Sequence, residues 1–139
     1  MRSILLAGII LTLAACGSDS VGPSAAPVTV AGAYNLTTVD GQALPFTVLD
    51  LGAYQAKLAS ATLNLKPDGT YSFQFGIRIE DSGNVRSQSD SDAGVWNKSG
   101  SAMTLTSNEG SVTRNGTLAA GVMTLQSGPL VLGLRKQQP

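Results

Sequence analysis

Between Tyr71 and Glu80 the chain reads Tyr-Ser-Phe-Gln-Phe-Gly-Ile-Arg-Ile-Glu: Tyr71, Phe73, Phe75, Ile77 and Ile79 are apolar, and every even position is small or polar. A period of two sustained this long is the pattern of a β-strand with one buried face. Upstream, Thr62-Leu63-Asn64-Leu65 alternates in the same way. It is joined to the long run by Lys66-Pro67-Asp68-Gly69, where proline fixes φ and glycine admits a positive φ, so the two runs predict a hairpin. Further alternating runs predict strands over Ala33 to Val39, Tyr54 to Lys66, Thr70 to Asp81, Val85 to Trp96, Met103 to Thr106, Ser111 to Leu118, Val122 to Gln126 and Leu130 to Arg135. Turn residues such as Ser107-Asn108-Glu109-Gly110, Ala120-Gly121 and Ser127-Gly128-Pro129 separate them. Connections this short force antiparallel neighbours, and the result is an up-and-down meander of about eight strands. Only Leu49 to Ala61 leaves room for a short helical turn.

Such a sheet either exposes two edges or curls until its first and last strands pair, and closure removes the edges altogether. The expected fold class is therefore all-β, an antiparallel eight-stranded barrel. A membrane-spanning barrel would need apolar outward bands, aromatic girdles and strands of about 9–11 residues. With three Phe, three Tyr and one Trp, and several shorter strands, the chain suits a barrel with an apolar interior instead. Its length fits one domain.

The first residues carry a different pattern. Arg2 is followed by an apolar run from Ile4 to Leu13 and by small residues Ala14 and Ala15 before Cys16, which is the order of a secretory signal. The run is too short to span a bilayer as a helix. Leu13-Ala14-Ala15-Cys16 resembles a bacterial lipobox, and that resemblance implies cleavage before Cys16 and acylation of Cys16. Two or three acyl chains hold a protein on a membrane far better than one. Gly17 after the cysteine, where an inner-membrane retention signal would have Asp, favours an outer-membrane address in the cell envelope. Gly17 to Thr29, rich in Gly, Ser, Ala and Pro, reads as a flexible tether. The division expected is thus 1–15 signal, 16–30 acylated cysteine and linker, and 31–136 barrel domain.

Within the domain, Gly32-Ala33-Tyr34 resembles the Gly-x-Trp motif that opens the first strand of lipocalins, and Arg135 resembles the arginine that packs over that aromatic in the last strand. Asp40 to Pro45, Leu63 to Phe73 and Gly94 to Leu105 are similar to stretches of bacterial lipocalin-like lipoproteins. The resemblance implies a seam of Gly32, Tyr34 and Arg135, with the guanidinium over the ring. It also implies a small apolar ligand in the barrel mouth, for which Tyr71, Phe73, Phe75, Ile77 and Ile79 are the candidate lining.

Little in the sequence carries chemistry. Lysine and arginine number nine, as do aspartate and glutamate, so no basic footprint for nucleic acid stands out. The chain has no histidine, which removes Ser-His and Cys-His nucleophiles and most transition-metal sites. Asp90 with Asp92, and Glu80 with Asp81, are the acid pairs that could serve acid/base work or calcium, but acids in polar strands are usually solvated. No cofactor, metal or catalytic residue is expected. Two functions remain: a carrier of a small apolar molecule, or an envelope protein-interaction module such as a protease inhibitor, with a filled barrel and a protein partner.

Overall fold

A computed structural model describes residues Thr29–Pro139; Cys16 and the segment expected to be a signal lie outside the described residues. Ten strands follow one another: β1 (Gly32–Val39), β2 (Gln42–Ala43), β3 (Phe46–Asp50), β4 (Tyr54–Leu65), β5 (Thr70–Asp81), β6 (Asn84–Ser99), β7 (Ala102–Ser107), β8 (Thr113–Ala119), β9 (Val122–Ser127) and β10 (Leu130–Lys136). Eight of them form a closed antiparallel barrel in which β1 pairs with β10 on one side and with β4 on the other, and β2 and β3 are extra. The eight barrel strands are those the alternation predicts. The helical turn allowed over Leu49 to Ala61 is not formed: β3 ends at Asp50, Leu51–Ala53 make a bend, and β4 runs on to Leu65. Backbone pairing with β4 makes Phe46–Asp50 a strand although its sequence lacks a clean alternation.

Each barrel strand turns its apolar positions inward. Tyr34, Leu63, Leu65, Tyr71, Phe73, Met103, Leu105, Met123, Leu125 and Leu134 are each no more than 2% exposed and form one cluster. An eight-stranded bore is just wide enough for side chains to fill, and here they fill it. Outward positions carry Asn35, Asn64, Gln74, Asn115, Thr117, Thr124 and Gln126, all exposed. A lipid-facing barrel has the reverse arrangement.

Two irregularities shape the rest. In β1 the register with β10 shifts between Leu36 and Thr38, so Tyr34, Leu36 and Val39 all face inward despite their uneven spacing. In β4 the register with β5 shifts between Leu58 and Ser60, which keeps both Leu58 and Ala61 buried. A bulge bends and twists its strand. Below this bulge β4 pairs with β1 through Thr62–Leu65; beyond it Gln55–Leu58 pair with β3. The distal parts of β4, β5 and β6 thus outrun the barrel and, with β3, make a four-stranded arm at one end.

The strands approach closely at two inward glycines. A Cβ on Gly94 would lie 1.9 Å from the Thr106 carbonyl oxygen, and one on Gly116 would lie 1.8 Å from that of Thr124. Backbone rather than a flexible side chain blocks both, so the neighbouring strand itself must move. Gly94→Ala is expected to cost about 1–3 kcal/mol, read as a lower urea midpoint; an unchanged midpoint would show that β6 and β7 part freely here.

Candidate functional site

Towards the arm end of the bore the apolar filling gives way to a polar cluster. Four of its members come from inward positions: Asp92 midway along β6, Ser107 closing β7, Arg114 near the start of β8 and Ser127 closing β9. Arg114 is only 7% exposed. Its Nη1 donates to Asp92 Oδ2 at 2.5 Å and its Nε to Ser127 Oγ at 3.2 Å. Tyr71, reaching from β5, donates its hydroxyl to Asp92 Oδ2 at 2.9 Å, and Ser107 donates to Asp92 Oδ1 at 2.8 Å. The Arg114 guanidinium also lies 5.6 Å from the Phe73 ring centroid, within cation–π range. Among the described residues no buried side-chain polar atom lacks a partner.

The electrostatics follow from these contacts. Burial opposes ionisation of Asp92, yet hydrogen bonds from Ser107, Arg114 and Tyr71, with the Arg114 charge, outweigh it and hold the carboxyl below its ordinary value. Burial and the adjoining Asp92 carboxylate push the Tyr71 hydroxyl up to about 12. The cluster is therefore held as carboxylate, guanidinium and neutral phenol. The arrangement closes the arm end of the bore with a paired charge.

The other acids separate. Asp90 is exposed on the arm while Asp92 reaches into the bore, so the two do not converge. Glu80 is taken up by Lys57 and by Arg78, each at 3.0 Å, and Lys57, then Arg78, hold its carboxyl below the usual range. Asp81 stands exposed at the arm's tip. Among the described residues no group of three His, Cys, Asp or Glu comes together as a metal site.

The seam exists, but not as the lipocalin resemblance implies. β1 and β10 do pair, and Tyr34 is buried with its hydroxyl donating to the Val30 carbonyl at 2.6 Å. Arg135, however, stands opposite Asn35 and is exposed, so it does not stack on Tyr34. The residue opposite Tyr34 is Lys136, whose side chain crosses over Gly32 and bonds the Thr29 carbonyl. Among the described residues, the guanidinium over an aromatic ring is that of Arg114, above Phe73.

The candidate lining divides. Tyr71 and Phe73 are buried in the filled bore, and Phe75 is half-buried with its ring centroid 4.3 Å from that of Phe73. Ile77 and Ile79 lie beyond, on the arm, opposite Leu58 and Ala56 of β4. There they share one apolar face with Phe46 and Leu49 of β3, while Lys57, Arg78 and Glu80 occupy the other face. Leu44 and Phe46, from the excursion between β1 and β4, pack against the core. At the arm's tip Val48, Leu49 and Leu51 remain 45%, 42% and 68% exposed. Compared with known proteins, the chain matches no family model, no curated protein and no solved structure.

Removing one partner of the buried pair should be expensive. Arg114→Met leaves Asp92 uncompensated and is expected to cost about 3 kcal/mol, whereas the double variant with Asp92→Leu should recover a good part of that loss in a double-mutant cycle. The pH dependence has a definite sign. The lowered Asp92 pKa contributes stability that is complete above the unfolded value of about 3.9 and is lost as pH falls through the folded value. The raised Tyr71 pKa contributes stability complete below about 10 and lost as pH rises towards 12. Urea midpoints across pH should therefore fall at both extremes, and Tyr71→Phe should flatten the alkaline fall; equal alkaline falls in both proteins would remove Tyr71 from the account.

Proposed function

We propose that this protein is a lipid-anchored lipoprotein of the bacterial cell envelope whose barrel is a rigid scaffold rather than a container, and that it works by binding protein through the arm. The observation that carries this reading is the filled bore: Tyr71 and Phe73, which would line a ligand site, are packed among leucines and methionines and are capped by the Arg114–Asp92 ion pair. Apolar surface is instead exposed at the arm's tip, at Val48, Leu49 and Leu51, where a protein partner can cover it. A small apolar ligand in the mouth is the rival, and it would have to displace core side chains. No catalytic role is part of the proposal.

The anchor rests on the lipobox-like Leu13-Ala14-Ala15-Cys16. Cys16→Ser is expected to abolish incorporation of labelled palmitate, and labelling that persists would dismiss the anchor.

Native mass spectrometry of the protein gently extracted from its own envelope decides between scaffold and carrier. A bare protein mass is the expected result, and a reproducible small apolar adduct would overturn the scaffold reading. A photo-crosslinking residue at Leu51 should give a discrete heavier band in the envelope, while one at Lys98, at the other end of the barrel, should not. Equal products at both positions would deny the arm its role.

A further inference from the structure

We propose that the free edge of β6 in the arm binds the same edge of a second copy of this chain, joining two arms into one continuous antiparallel sheet about a two-fold axis at Gln88. Gly94–Ser99 of β6 pair with β7, but Asn84–Ala93 pair only with β5, so among the described residues the outer edge of this stretch carries no partner strand. Every residue from Asn84 to Ser91 is exposed. A row of unpaired backbone N–H and C=O groups is a template for another strand.

The backbone polarity of that edge can be read from its neighbours. The Ala93 carbonyl faces β7, where the Asn108 N–H meets it, and the Trp96 N–H faces the β5 side, meeting the Gly69 carbonyl. β6 pairs with β5 without a register break, so outward groups belong to alternate residues: Val85, Ser87, Ser89 and Ser91. With the axis at Gln88, Ser87 of one copy stands opposite Ser89 of the other, and Val85 opposite Ser91. All of these are hydrogen-bonding positions, and together they supply about eight backbone bonds.

The same register brings Arg86 opposite Asp90 of the second copy, twice by symmetry. Opposite charges placed directly across an antiparallel pair are favourable, and like charges unfavourable. Arg86 and Asp90 lie opposite Ile79 and Phe75 on β5, so these ion pairs form on the arm's apolar face, where water screens them less than on the outer one. In the single copy Asp90 Oδ1 accepts the outward Ser91 N–H at 2.8 Å; pairing gives that N–H to the second copy's Val85 carbonyl and frees Asp90 for Arg86. Small serines at 87, 89 and 91 let the two outer faces meet without a clash.

Gln88 of the two copies would form a non-hydrogen-bonded pair, the closest approach of side chains in an antiparallel ladder, and this suits a disulfide. In the full-length protein in its own membrane, Gln88→Cys under mild oxidation should give a reducible dimer. Asn84→Cys, about 27 Å from its own symmetry mate, should give little. The wild-type chain, whose one cysteine is Cys16, is the control: a reducible wild-type dimer would expose a free Cys16 and count against the anchor, not the edge. Adding Arg86→Asp to Gln88→Cys should cut the crosslink about tenfold or more, and adding Asp90→Arg as well should restore it. No Gln88→Cys dimer in a protein that still resists protease, equal crosslinking at 84 and 88, or a charge swap that fails to rescue would each overturn the proposal.

Discussion

The narrow bore of an eight-stranded barrel governs this molecule. Once β1 meets both β10 and β4, the interior is a fixed volume that only side chains can occupy, and each strand must supply inward residues of the right size. The tyrosine, phenylalanine, leucine and methionine side chains of the core meet that demand, and Gly94 and Gly116 meet it by having none where neighbouring backbone passes within 2 Å of a would-be Cβ. At the arm end the demand changes, because water competes for inward groups there. An arginine can fill that space only if its charge is answered, and Asp92, fixed by Tyr71 and Ser107, answers it. Buried ion pairs contribute little net stability compared with apolar filling, but their geometry is exacting. Arg114 and Asp92 thus tie β6 to β8 across the mouth.

The arm follows from the same constraint. β4, β5 and β6 are longer than the barrel, and a strand leaving a closed bore must find a new partner or expose two edges. The bulge between Leu58 and Ser60 turns β4 away from β1, and β3 takes up the freed edge. On the other side β6 finds no partner strand beyond Ala93 among the described residues. The arm therefore has one satisfied flank and one open flank, with an apolar face between them. An open flank lined by serines, an arginine and one aspartate resists indiscriminate pairing, because only a strand of complementary charge order fits it.

The eight barrel strands were legible because period-two alternation is a direct consequence of a filled interior and a wet exterior. β3 was not legible, because Phe46-Thr47-Val48-Leu49-Asp50 holds a bulge at Val48 and is a strand only by virtue of β4. The buried cluster was legible in principle, though nothing in the sequence marks it as a motif. Arg114 shares inward parity with Gly116 and Leu118, Asp92 with Gly94 and Trp96, Ser107 with Met103 and Leu105, and Ser127 with Met123 and Leu125. An arginine and an aspartate of inward parity at the same end of a barrel have to meet. The same parity argument excludes Arg135 from the seam: Leu132 and Leu134 face inward, so Arg135 faces out and Lys136 takes the place opposite Tyr34. There the resemblance to lipocalins pointed one residue astray, and alternation alone was the better guide.

Chain polarity links the fold to the proposed anchor. β1 begins at Gly32, beside Leu65 at the end of β4 and close to Lys136 at the end of β10. The arm's turns, Leu51–Ala53 and Ser82–Gly83, lie at the opposite end, because β4 and β5 run the full height of the barrel and beyond it. The anchor proposed at Cys16 would join the domain at the start of β1, the end of the barrel remote from the exposed Val48, Leu49 and Leu51. Were two copies anchored as proposed, confinement to one membrane would raise their effective concentration. A contact too weak to persist in dilute solution can then be populated on the surface, which is why an edge of small polar residues, unsuited to a high-affinity core, is still adequate for pairing there.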